Sequence, residues 1–76
     1  MFSYNIAPNA DKKEFEKACS AIESKMSGFK KEKILVDVDG TQIQVYSSDK
    51  GKIKLYNDYD VDAVYVDSDI EIPEFP

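Results

Sequence analysis

Histidine, arginine and tryptophan are absent from this 76-residue chain, and cysteine occurs once, at Cys19. Without histidine, the commonest acid–base group and metal ligand is missing. Without arginine, there is no planar fork to grip a phosphate at two points. A lone cysteine excludes an internal disulfide framework and fits a reducing compartment, so a cytoplasmic protein is expected. No apolar run approaches the roughly 18 residues of a membrane span, and no secretory apolar segment is present. The expectation is a soluble protein with no membrane contact. The length allows a single domain over residues 1–76, and such a chain buries only about 60% of its unfolded surface. Domains with so slender a core often gain stability by oligomerising, and a homodimer is expected.

The charge that is present is unevenly placed. Residues 1–56 carry ten lysines and eight acids, for a net of +2. Residues 57–76 carry seven acids and no base, for a net of −7. This asymmetry is the most informative functional feature of the sequence.

The most legible stretch is 33–46, KILVDVDGTQIQVY. Asp39-Gly40 suits a two-residue type I′ turn, where both positions need positive φ. That turn sets Val38 against Thr41, Val36 against Ile43 and Ile34 against Val45, all on one apolar face. The opposite face then carries Leu35, Asp37, Gln42, Gln44 and Tyr46. Before this hairpin, 2–6 alternates as a first strand. Asp11 followed by Glu14 resembles a capping box, and Phe15, Ala18, Cys19, Ile22 and Met26 form one helical stripe. Gly28 is placed to end the helix as its C′ residue. After the hairpin, 52–56 and 61–66 alternate as two more strands, and 70–76, with two prolines, reads as an extended tail. The order β-α-β-β-β-β predicts an α+β fold: one helix packed on a mostly antiparallel sheet of about five strands. The predicted core is Phe2, Ile6, Phe15, Cys19, Ile22, Met26, Ile34, Val36, Val38, Ile43, Val45, Ile53, Leu55, Val64 and Val66. The uncovered sheet face would show Leu35, Tyr46, Tyr56 and Tyr65.

Two stretches look like chemistry. Asp37-Val38-Asp39-Gly40-Thr41 resembles the DxDGT motif of haloacid-dehalogenase-type phosphatases, whose first Asp is a nucleophile. That family needs a large α/β sheet and further motifs that 76 residues do not supply, so the stretch is taken as a hairpin turn. Asp58-Tyr59-Asp60-Val61-Asp62 matches the opening of a calcium loop. The loop would put Ala63 where glycine is required and Asp69 where a glutamate is required, between strands rather than helices. No catalytic residue, cofactor or metal is expected. Lys50, Lys52 and Lys54 beside Tyr56 could serve single-stranded nucleic acid, but the −7 segment that follows would repel phosphate. Direct nucleic-acid binding is not expected.

The acids recur at two-residue spacing, Asp58-Asp60-Asp62 and Asp67-Asp69-Glu71, which on a strand is about 6.6 Å. Like charges held so close cost folding energy, which an opposing basic surface would recover. In size, in the lack of arginine and histidine, and in these carboxylate rows, the chain resembles the small acidic DNA-mimic inhibitors of phages. The resemblance implies a non-enzymatic inhibitor that binds a basic host DNA-binding protein, with histone-like HU the first candidate. Its contacts would be Asp58, Asp60, Asp62, Asp67, Asp69 and Glu71. The alternatives are an assembly module that self-associates through the Tyr-rich face or a strand edge, and a nucleic-acid binder that uses the lysine strand.

Overall fold

In a computed structural model, which describes residues 1–73, the chain is α+β with one helix on an antiparallel sheet. Its elements are β1 (Phe2–Ala7), α1 (Lys12–Lys25), β2 (Lys30–Lys31), β3 (Leu35–Val36), β4 (Gln42–Ser48), β5 (Gly51–Asp58) and β6 (Ala63–Ser68). The sheet order is β1-β6-β5-β4-β2, with β3 also paired to β4. Six strands replace the expected five because the first arm of the hairpin is broken in two. Glu32 still donates its N–H to the Val45 carbonyl, but Leu35 already stands opposite Ile43. One extra residue is thus inserted between β2 and β3, as in a β-bulge. The Gln44 side chain fills the interruption and donates Nε2–H to the Glu32 carbonyl at 2.6 Å.

The helix begins where the sequence predicts. Asp11 is the N-cap and accepts the N–H groups of Lys13 and Glu14. The capping box is only half formed, because the Asp11 N–H donates to Asn57 Oδ1 at 3.0 Å, while Glu14 pairs with Lys17. Met26 is the C-cap and Gly28, at φ 87°, lies two residues beyond it rather than at C′. The helix lies over β5 and β1 and buries Phe15, Ala18 and Ile22. They meet Tyr46, Ile53, Leu55, Val64, Val66 and Ile72 in the core. Burying these side chains supplies most of the drive to fold, at about 1.5–3 kcal/mol for each large one.

The hairpin face is inverted relative to the expectation. Gly40 donates its N–H to the Asp37 carbonyl and Asp37 donates to the Thr41 carbonyl, with Gly40 at φ 90°. This is a three-residue loop, a type I turn closed by a left-handed glycine, not the two-residue turn. The register therefore slips by one, to Leu35 opposite Ile43 and Val36 opposite Gln42. A one-residue slip sends each side chain to the other face. Gln44 and Tyr46 point to the helix and are buried, so Tyr46 does not belong to the uncovered face. Ile43 and Val45 are half-buried, and Ile34, Val36 and Val38 are exposed, Val38 fully so at the loop tip. Phe2, at the sheet edge, is also exposed. Ile6, Cys19 and Met26 pack at the core margin. Among the described residues no regular element follows β6, yet Ile72 is buried and donates its N–H to the Tyr4 hydroxyl at 2.9 Å. Residues 74–76, the end of the expected tail, lie outside the described residues.

Candidate functional site

Loops at one end of the sheet gather the carboxylates. The β5–β6 connection, residues 59–62, is a turn rather than a strand. Asp58 organises it: Oδ1 accepts the N–H groups of Asp60 and Val61, and Oδ2 accepts the Tyr65 hydroxyl at 2.8 Å. Asp62 sits at φ 59°, a left-handed conformation that aspartate tolerates better than most residues. Its carboxylate accepts the Ala10 N–H at 2.8 Å and the Asn9 side-chain amide at 3.0 Å. That contact docks the loop before α1 onto the β5–β6 turn. Asp60 is exposed.

The β3–β4 loop joins the same end. Tyr59 donates its N–H to Thr41 Oγ1 at 3.1 Å, and its ring lies 3.6 Å from the position a Cβ would take at Gly40. Asp37 and Asp39 cap the neighbouring Val38 and Thr41 amides. Thus the DVDGT stretch is a capped turn in the structure. The helix N-cap Asp11 is held there too, through buried Asn57. Asp11, Asp37, Asp39, Asp58, Asp60 and Asp62 therefore share one end of the molecule. Sequence reasoning missed the first three. The signal for them was the turn chemistry, since turns on one side of an antiparallel sheet come together.

The second expected trio is elsewhere. β6 separates it from the first by about 17 Å, five strand steps. Asp67 faces outward on β6, accepts the Ser3 hydroxyl at 2.9 Å, and stands across from Lys54. Asp69 accepts the Lys52 N–H at 2.9 Å and packs against Gly51, where an added Cβ would come within 2.7 Å of the Asp69 Cβ. Glu71 is exposed. Asp58, Asp60, Asp62, Asp67, Asp69 and Glu71 thus form two groups rather than one row, and Glu74 lies outside the described residues. On the uncovered face, Tyr56 and Tyr65 stack on each other with centroids 4.7 Å apart. Among the described residues no three acidic or cysteine side chains are placed to hold a metal ion. No helix among them is long and apolar enough to cross a membrane.

Two of the turn carboxylates, Asp58 and Asp62, are favoured in their ionised form. The Tyr65 hydroxyl, and then the Val61 and Asp60 amides, hold Asp58 below the usual carboxylate range. The Ala10 amide, and then Asn9, do the same for Asp62. Burial, reinforced by the bond to Asp58, pushes the Tyr65 phenol far above its ordinary value. Burial also raises Tyr46, which donates to Glu23 at 2.5 Å. A proton held more tightly in the folded state stabilises the fold below the unfolded pKa, and that stability is lost as pH rises towards the folded one. The urea midpoint should therefore decline above about pH 10, and Tyr65→Phe should make the decline shallower. The depressed carboxylates act with opposite sign, and their contribution should fade as pH falls below about 4. An alkaline midpoint that stays level, or a Tyr65→Phe curve parallel to the parent's, would contradict these assignments.

No family model matches the chain, and no curated protein or solved structure matches it.

Proposed function

We propose that this chain is a non-enzymatic, acidic binding protein that competes with DNA for a basic DNA-binding protein, with histone-like HU the first candidate. The observation that carries the proposal is the clustering of aspartates at one end of the sheet on turns that internal hydrogen bonds hold in place. A carboxylate has about four acceptor positions. Asp58 uses three and Asp62 two, so both keep their charge and spare capacity for a partner's lysine or arginine. Because the carboxylates are already positioned, less ordering is required on binding. The trio of Asp67, Asp69 and Glu71 would form a second contact at the other end, tempered by Lys52 and Lys54.

The experiment replaces Asp58, Asp60, Asp62, Asp67 and Asp69 with Asn and Glu71 with Gln. These amides are nearly isosteric and can still accept the internal N–H bonds, so the fold should persist. Partner captured from a bacterial lysate at low salt and eluted at high salt is loaded with duplex DNA, and displacement is measured. Each exposed carboxylate should contribute about 0.2–1 kcal/mol, so single changes should do little and the combined variant should fail. The loss should fall mainly on the association rate. Equal displacement by parent and variant would show that the carboxylates serve solubility alone.

A further inference from the structure

Among the described residues the edge formed by β3 is uncovered and apolar. There β3 pairs only with β4, and Ile34, Leu35 and Val36 are 40%, 55% and 64% exposed in succession. Edge strands are normally blunted by charge, proline or brevity, because their free amides invite another strand. This one is short, but Lys33 and Asp37 stand only at its margins. Asp37 donates its N–H to Thr41 across the hairpin. Amide groups alternate in direction along an antiparallel strand, so those of Leu35 also turn to β4 and those of Val36 turn to the open edge. Ile34 lies just before β3 with its side chain beside Phe15 and Gln44 on the helix side, the face Val36 shares, so its amide groups follow those of Val36.

We propose that two copies of this chain pair antiparallel through residues 33–37, with a twofold axis at Leu35. The segment Lys33-Ile34-Leu35-Val36-Asp37 is self-complementary in that register. Ile34 of one copy meets Val36 of the other and exchanges both backbone hydrogen bonds, and the twofold repeats this, giving four bonds. Leu35 meets its own counterpart in a non-hydrogen-bonded pair. Lys33, one step beyond this ladder, comes beside Asp37 of the other copy on both sides of the axis, within reach of its long side chain. A second copy is the occupant because the charges at the margins of the edge are opposite and equidistant from its centre. An unrelated strand has no reason to match both. Pairing would join the two sheets into one and cover Ile34 and Val36 on the helix side and Leu35 beside Ile43 on the other.

Sedimentation equilibrium at micromolar concentrations tests the proposal. The parent should be a dimer. Lys33→Asp places like charges opposite each other twice, and so does Asp37→Lys. Each variant alone should weaken dimerisation on the order of tenfold or more. Mixed together, the two variants restore opposite charges at all four positions and should form a heterodimer. Val36→Pro removes an amide N–H that the isolated fold does not use, so it should abolish the dimer while circular dichroism and the urea midpoint of the monomer are kept. A monomeric parent would overturn the proposal. So would charge variants that self-associate as well as the parent, a mixture that fails to associate, or a dimer that survives Val36→Pro.

Discussion

Asn57→Ala should lower stability by about 3 kcal/mol, with a fall in Tm of about 12–24 °C at the 4–8 °C per kcal/mol typical of small domains. Asn57 is completely buried in a strand of the core. Its Oδ1 accepts the Asp11 N–H at 3.0 Å, and its Nδ2 donates to Gln42 Oε1 at 3.0 Å and to the Tyr59 hydroxyl at 3.3 Å. One amide thus joins the start of the helix, β4 and the β5–β6 turn. Truncation removes three hydrogen bonds at once, each worth about 0.5–1.5 kcal/mol net, and leaves the Asp11 N–H and the Gln42 side-chain oxygen without this partner. Gln42→Ala should cost less, because Gln42 is only half-buried and Asn57 keeps its other two bonds. Thermal unfolding by circular dichroism measures both. An Asn57→Ala loss below about 1 kcal/mol would mean that water replaces the amide and the hub is not structural.

Ile72→Ala should cost about 2–5 kcal/mol, the usual range for emptying a buried isoleucine site. That is a large part of the roughly 4–11 kcal/mol expected of 76 residues. Ile72 is 2% exposed and belongs to the same cluster as Phe15 and Val66, although it lies beyond the last strand. Its N–H is tied to the Tyr4 hydroxyl, so the segment after β6 is pinned to the first strand by its backbone and to the core by its side chain. Ile70→Ala should cost less, because Ile70 is only partly buried. Urea unfolding distinguishes the two. An Ile72→Ala midpoint equal to the parent's would show that the segment merely lies on the domain.

Where periodicity was unbroken, the sequence was a faithful guide. Phe15 and Ile22 on α1, Ile53 and Leu55 on β5, and Val64 and Val66 on β6 are buried as their spacing predicts. The β3–β4 hairpin failed because Asp-Gly suits both a two-residue turn and the end of a three-residue loop. The choice between them decides the face of each following residue. The stretch Gln42 to Tyr46 offers two plausible inward sets. The set with polar atoms won because those atoms find partners, Gln44 at the Glu32 carbonyl and Tyr46 at Glu23. Ile72 was hidden because one buried residue beside a proline has no period. The acids were legible as charge, but their use as turn caps was not, since Asp58 and Asp62 act on partners that only the folded chain brings near.

The pairing of β1 with β6 has a consequence for the order of events at birth. Phe2 is registered with Ser68, so β1 has no neighbour among the described strands until β6 exists. At about 5–20 residues per second, the interval between the end of β1 and the end of β6 is about 3–12 s of synthesis. Strands β4 to β6 form a meander of adjacent hairpins and can assemble from local contacts as they appear. Closing the long loop between β1 and β6 comes after that and carries most of the loop-closure cost, which should make folding slow for so small a domain.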